Sequence, residues 1–225
     1  MRFSGYIFDV EGTLVDSVQQ NLLSLQESLA DFGIEAPYEE LQLYSGLDGN
    51  QTLQLVAPDL VEADRKRVLE AQGKLYESKY LASVKAFTGV REVFLALTGE
   101  GGRIALATDC KGATLRHYLS LLAADDLIDS VACGDDVEHG KPDPRLVGLA
   151  LRKLQVPAAQ AVVIGDTPYD AEAASGAGTA SVGVLTGGFS KETLLQAGCL
   201  AVAQEVRDLV SYLKADQPPS SEAAE

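Results

Sequence analysis

The sequence predicts an α/β fold, a parallel sheet covered by helices on both faces with an α-helical segment inserted after the first strand. Three observations carry that prediction. Short apolar runs of strand length alternate with helix-length stretches, the chain order that builds a parallel sheet. The alternation is interrupted from about Val18 to Ser83, where the pattern is helical only. Acidic and hydroxyl residues gather just after the apolar runs, at the carboxyl ends of the predicted strands, where open α/β sheets place their sites.

In chain order, Tyr6-Ile7-Phe8 reads as a short buried strand ending at an acid. The helical insertion follows, with Gln19–Phe32 and Val61–Leu81 as its long helices and polar, Gly- and Pro-containing breaks between them. Gly89-Val90 returns the chain to the core. Further strands are expected at Ile104–Ala107, Val131–Cys133, Ala161–Ile164 and Ala180–Val184, and helices at Val90–Leu97, Ala113–Leu122, Arg145–Leu154 and Ala171–Ser175. The organisation that follows is a core of residues 1–17 and 84–214, a helical cap of residues 18–83, and a tail, 215–225. That tail combines prolines, serines and acids, has nothing to bury and is expected to be disordered.

Composition bounds the function. At 225 residues and 46% hydrophobic, the chain can bury a real core. No leader pattern opens it and no apolar run approaches bilayer length, so it is expected to be neither secreted nor membrane-embedded. Cys110, Cys133 and Cys199 are too scattered for a zinc spacing, and their odd number argues for reduced thiols in the cytoplasm. A net charge of −15 argues against nucleic-acid binding, which needs clustered cations to neutralise phosphates. A small anionic substrate remains compatible where cations are concentrated locally.

The chemistry-bearing residues fall at strand ends. Asp9 follows the first strand and Gly12 lets the chain turn away, so the Asp9 carboxylate is placed to attack phosphorus. Glu11, two residues on, is positioned to protonate a leaving oxygen and later to accept a proton from water. Thr108 ends the second core strand, and its hydroxyl with the following backbone N–H groups offers donors to a phosphoryl oxygen. Gly140-Lys141-Pro142-Asp143-Pro144 is a rigid loop that fixes the Lys141 charge. Gly165-Asp166-Thr167-Pro168-Tyr169-Asp170 brings two carboxylates to another strand end. Magnesium prefers oxygen ligands, so Asp9 and Asp166 can share an ion if their strands are neighbours, with Asp170 ordering the groups around it.

In Phe8-Asp9-Val10-Glu11-Gly12-Thr13-Leu14-Val15-Asp16-Ser17, Ala107-Thr108-Asp109, Gly140-Lys141-Pro142-Asp143-Pro144 and Gly165-Asp166-Thr167-Pro168-Tyr169-Asp170, the chain resembles the haloacid dehalogenase superfamily. Within it, the resemblance is to the phosphoglycolate phosphatase and β-phosphoglucomutase-like branch with a helical cap, from Phe3 to about Leu213. The resemblance implies a Rossmann-like core, an aspartyl-phosphate on Asp9 and Glu11 as acid/base. It also implies phosphate held by Thr108, Lys141, Asp109 and Gly46, and Mg²⁺ bound by Asp9, Asp166 and the backbone carbonyl of Glu11. The expected activity is hydrolysis of a small phosphorylated metabolite by a monomer or homodimer, with no nucleic-acid or membrane partner. A sugar-phosphate mutase and a catalytically weak binding or regulatory protein are the alternatives.

Two positions depart from the family pattern. Glu11 stands where the family commonly has Asp, as it does in the enolase-phosphatases of the superfamily, and Asp109 stands where an uncharged residue is usual; its side chain is expected to point away from the phosphate or to contact a cation. Glu11 argues against a phosphonatase or a true dehalogenase. Gly49 occupies the place of the arginine in the Gly-x-x-Arg cap loop of β-phosphoglucomutases, which favours a hydrolase over a mutase. Elsewhere, His117 reads as a helix-surface residue, His139 as a loop-surface residue and Cys110 as a small buried hydrophobe. The cap residues Asp48, Asn50, Gln51 and Lys79 are candidates to face the cleft, and Gly187-Gly188 is read as a turn with no further role.

Overall fold

The computed structural model describes residues 3–214. The expected disorder of 215–225 lies outside the described residues. The chain runs β1 (Gly5–Phe8), β2 (Val15–Asp16), α1 (Val18–Asp31), α2 (Tyr38–Gln42), α3 (Gly49–Val56) and α4 (Glu62–Leu75), which ends in a π-helical turn, Tyr76–Tyr80. It continues through β3 (Lys85–Ala86), α5 (Val90–Thr98), β4 (Arg103–Thr108), α6 (Gly112–Leu122), β5 (Ser130–Cys133) and α7 (Arg145–Leu154). It finishes with β6 (Ala161–Gly165), α8 (Pro168–Gly176), β7 (Ala180–Val184), α9 (Lys191–Gln196), β8 (Val202–Ala203) and α10 (Leu209–Lys214).

Six strands form one sheet in the order β5-β4-β1-β6-β7-β8, and every pairing in it is parallel. The strand side chains alternate between two apolar layers, as the two-residue strand period requires. Tyr6, Phe8, Ile104, Leu106, Val162 and Ile164 enter one core with Phe94 and Tyr118. Ile7, Ala105, Ala107 and Val163 enter the other, against Leu146, Leu151 and Leu154 of α7. Burial on both faces explains why these strands read as continuous apolar runs.

The segment between β2 and β3 has its own apolar cluster, built from Leu22, Leu25, Leu29, Leu41, Leu53 and Val68. The chain leaves and re-enters the core through β2 and β3, which pair antiparallel at Val15–Ala86 and Asp16–Lys85. The polar breaks expected between the long cap helices contain two short ones, α2 and α3. The expected helix at Val61–Leu81 is α4 followed by the π turn and a 3₁₀ turn at Leu81–Ser83. The region after Val184 holds α9, β8 and α10, which the pattern did not resolve because β8 is only two residues long.

Because β1 lies between β4 and β6, the residues that follow these three strands are neighbours: Phe8 is in register with both Leu106 and Ile164. The strand order reverses here, which is where such sheets open a crevice. Phe8 anchors the arrangement from below, its ring 4.9 Å from that of Phe94 on α5. Phe94→Ala is therefore expected to cost about 3–5 kcal/mol, measured as a lower midpoint in urea unfolding; a loss under about 1 kcal/mol would show that α5 does not hold β1 in place.

Candidate active site

Asp9 sits at the carboxyl end of the central strand, its backbone N–H bonded to the Ile164 carbonyl at 2.9 Å. The chain turns away immediately at Gly12, whose φ of +78° suits glycine. A side chain there would also strike Asp166, since a Cβ on Gly12 would lie 2.3 Å from Asp166 Oδ2. From the loop before α7, Lys141 reaches in and donates from Nζ to Asp9 Oδ1 at 2.5 Å and to Asp170 Oδ1 at 2.7 Å. All three side chains are buried.

Asp166 follows β6, and α8 starts two residues later, at Pro168. Thr167 caps that helix, Pro168 takes its first position, and Asp170 completes the capping box by accepting from the Thr167 N–H at 3.1 Å and from its hydroxyl at 2.7 Å. The same Asp170 carboxylate thus caps a helix with one oxygen and holds Lys141 with the other. Gly165 is required beneath it, because a Cβ there would come within 2.4 Å of the Asp170 Cβ. Thr13 donates to Asp166 Oδ1 at 2.6 Å.

Electrostatics here is a contest between burial and one cation. Burial raises Asp9 well above the usual carboxylate range, with Asp170 and Asp166 adding to it, and the pull of Lys141 does not reverse it. Burial and the Asp170 charge push Asp166 up to about 7. Burial alone would lower the Lys141 ammonium, but Asp170, Asp9 and Asp109 together hold it well above its ordinary value, so it stays charged. Burial also raises Glu11, against the hydrogen bond from Tyr118.

The donor set fits a hard divalent cation. Asp9, Asp166 and Asp170 each present an oxygen within 4.8 Å of the others. Asp166 Oδ2 is buried without a hydrogen-bond partner, and it lies in a slot where a Cβ on Gly187 would come within 1.8 Å of it. Asp170 has both oxygens engaged, by Lys141 and Thr167, whereas Asp9 and Asp166 are each engaged through Oδ1 alone, by Lys141 and Thr13, so either could still offer an oxygen to an ion.

These groups form the floor of a cleft of about 1250 Å³ between core and cap, to which Asp9, Glu11, Asp109, Lys141 and Asp166 contribute from the core, and Gly46, Asp48 and Asn50 from the cap. The cap loop touches the core directly: the Asp48 N–H donates to the Lys141 carbonyl at 3.2 Å and the Tyr169 hydroxyl to the Leu43 carbonyl at 3.3 Å. Gly46, at φ +82°, packs so closely on Thr167 that a Cβ would meet its Cγ2 at 2.6 Å.

The other residues selected from the sequence are placed as follows. Thr108 is fully buried and its hydroxyl accepts from the Cys110 N–H at 3.2 Å, which leaves its proton free to donate. Asp109 contacts a cation: its Oδ2 accepts from the Lys141 N–H at 3.2 Å and lies 4.0 Å from Nζ. Of the cap candidates, Asp48 and Asn50 line the cleft, whereas Lys79 points outward into an ion pair with Glu27 at 2.7 Å and Gln51 lies outside the lining. His117 is half-buried, with Nε2 sealed and unpartnered, rather than a surface residue; His139 is exposed. Cys110 is buried, and that burial raises its thiol.

The sequence reading assigned no role to Thr13 or Gly187, or to the residues around Glu11. Thr13 stood inside a quoted motif, and its polarity next to a buried strand was the available signal. Gly187 follows β7 far along the chain, and only its three-dimensional approach to Asp166 reveals it.

Residues 6–184 match the family model described as haloacid dehalogenase-like hydrolase. A phosphoglycolate phosphatase from Rhodospirillum rubrum is 31% identical over 222 residues, covering 94% of this chain and 91% of its own length. Another, from Cereibacter sphaeroides, is 30% identical over 233 residues, covering 94% and 99%. The crystal structure of a hydrolase from Pseudomonas syringae is similar with a TM-score of 0.88 at 30% identity, covering 95% of this chain and 99% of that one.

Asp166 makes the metal-free protein sensitive to pH. Its carboxyl is raised to about 7 in the folded chain, against about 3.9 unfolded. Between those values the folded state binds more protons, so the stability contribution of this group falls as pH rises and stays low above about 7. In chelator, Asp166→Asn is expected to be more stable than wild type at pH 8, by on the order of a few kcal/mol, with the difference shrinking toward pH 4. A difference that does not change with pH in urea unfolding would show that Asp166 is not held neutral by burial.

Proposed function

The chain belongs to the haloacid dehalogenase-like hydrolase family, and on that premise we propose that it is a Mg²⁺-dependent phosphatase that hydrolyses a small phosphate monoester through an aspartyl-phosphate on Asp9. The observation that carries this reading is the Asp9 carboxylate at the floor of the cleft, bonded to Lys141 at 2.5 Å and sharing a 4.8 Å cluster with Asp166. The phosphoglycolate phosphatases among its relatives point to a small phosphorylated metabolite as substrate.

In this reading Asp9 Oδ attacks phosphorus, forming a phosphorus–oxygen bond to the carboxylate while the bond to the ester oxygen breaks. Glu11 gives its proton to the departing oxygen. A burial-raised carboxyl suits that role because it retains a proton more readily than a solvated one. In the second half, Glu11 takes a proton from water as the water attacks phosphorus, and the Asp9 carboxylate is released. Lys141 holds Asp9 in place and brings positive charge beside the phosphoryl oxygens. Asp9, Asp166 and the residue 11 carbonyl would hold Mg²⁺, which when bound supplies the charge that offsets repulsion between Asp9 and an anionic ester. Cap and core together line the cleft, and closure of one on the other would exclude bulk water around the ester.

The cap favours a hydrolase over a mutase. Gly49 stands in place of the mutase arginine and packs against Leu69, whose Cδ2 a Cβ there would approach to 2.9 Å, so a larger side chain would first have to displace that leucine. The test is release of inorganic phosphate from a panel of small monoesters with Mg²⁺ or with chelator. Asp9→Asn is expected to lower release by about 10⁴-fold or more with the unfolding midpoint retained. Full activity in that variant, or release indifferent to chelator, would overturn the mechanism.

A further inference from the structure

We propose that Tyr118 and Asn21 are positioning residues for Glu11: they tie one of its carboxylate oxygens back so that the other is presented to the cleft. The inference rests on the phosphatase reading and says how this chain uses the longer acid. Glu11 Oε1 accepts from the Tyr118 hydroxyl at 3.2 Å and from Asn21 Nδ2 at 3.4 Å. Tyr118 stands on α6 of the core and Asn21 on α1 of the cap. Among the described residues Oε2 has no hydrogen-bond partner, and it is not among the sealed unpartnered atoms, while Glu11 lines the cleft. Oε2 is thus the oxygen left for proton exchange with a leaving group or a water.

Both tethers are themselves anchored. Asn21 Oδ1 accepts from Gln72 Nε2 at 2.8 Å, which fixes the amide so that its Nδ2 faces Glu11. The Tyr118 hydroxyl is bonded to that of Tyr76, the first residue of the π turn after α4. Each hydroxyl has one proton. Since Tyr118 gives its proton to Glu11, Tyr76 must donate to Tyr118. The order of donors is therefore set from the cap inward, and both relays start from the segment that contains α4 and its π turn. Both tyrosine rings are buried, Tyr118 completely.

Side-chain length explains why this acid is Glu. Removing one methylene would draw the carboxylate back by about 1.5 Å, and the Tyr118 hydroxyl, already 3.2 Å away on a ring locked in the core, could not follow. A glutamate left untethered would also divide its time among rotamers, most of them unproductive. The two donors remove that freedom, and because Tyr118 does not line the cleft its loss acts on the chemical step more than on binding, whereas Asn21 lines the cleft as well.

The experiment compares kcat and KM for Mg²⁺-dependent phosphate release in wild type, Tyr118→Phe, Asn21→Ala, Glu11→Asp and the Glu11→Asp/Tyr118→Phe pair, using the best monoester of the panel. Tyr118→Phe is expected to lower kcat by about 10-fold or more with KM changed by less than about 2-fold, and Asn21→Ala to lower kcat in the same sense. In the Glu11→Asp background, adding Tyr118→Phe is expected to change kcat by less than about 2-fold, because the shorter acid no longer reaches the hydroxyl. A purely structural Tyr118 would give equal losses in both backgrounds, and that result, or an unchanged kcat in Tyr118→Phe, overturns the inference while the phosphatase reading stands. If Tyr118→Phe alone fails to fold, Tyr76→Phe/Tyr118→Phe, which removes both hydroxyls together, serves in its place with the same expected loss. Absence of release from wild type with every ester would overturn the phosphatase reading and this inference with it.

Discussion

The ammonium of Lys141 allows carboxylates to be gathered in a dry crevice at the end of the central strand. Taking such ions out of water costs several kcal/mol each, and direct pairing at hydrogen-bond distance is what offsets it. Lys141 meets that need for Asp9 and Asp170 at once and lies 4.0 Å from Asp109. Removing one partner from a buried pair typically costs about 3–5 kcal/mol, so the lysine is as much a structural requirement as a chemical one. Its position depends in turn on the loop before α7, held by Asp109 at the Lys141 N–H and by the cap at the Lys141 carbonyl.

One lysine does not neutralise the cluster. Asp166 lies beyond its direct reach, bonded on one side to a neutral threonine and left unpartnered on the other. The backbone around that free oxygen is pared down to glycine at positions 12 and 187, where a Cβ would overlap it. The Thr186 hydroxyl secures the same junction by donating to the Gly12 carbonyl at 2.6 Å. The fold therefore keeps a buried cluster of carboxyl groups, Asp9 and Asp166 raised by burial toward the neutral form, and relies on a cap and tight turns to keep its shape. A cation placed among these carboxyls would favour their charged form, which is why such a cluster suits a divalent ion.

Much of this was legible in the chain. Tyr6-Ile7-Phe8 ending at Asp9 gave both a buried strand and the direction of its carboxylate, because in a two-sided sheet an acid can only follow the strand at its open end. The four motifs were legible for the same reason: they sit where strands stop. Thr108 shows what a motif leaves open: its strand-terminal hydroxyl accepts from the Cys110 N–H, a local backbone contact the sequence did not signal, and keeps its own proton to donate. The end of the chain was illegible because β8 gains its stability from pairing with β7 rather than from any pattern of its own. Gly187 and Tyr118 were illegible because their partners, Asp166 and Glu11, lie far away in sequence.

The two departures from the family pattern, Glu11 and Asp109, have a common physical feature: each engages a partner outside the motif that contains it. Asp109 holds the backbone of Lys141 from a neighbouring strand. Glu11 spans from the turn after β1 to a core tyrosine and a cap asparagine. A motif fixes which group reacts, because its spacing sets where a strand ends and which way the chain turns. The rotamer of a long acid is set by whatever donors surround it, and those come from helices that the motif does not contain. In this chain the donors that meet the longer acid at position 11 come from α1 and α6, where Asn21 and Tyr118 stand.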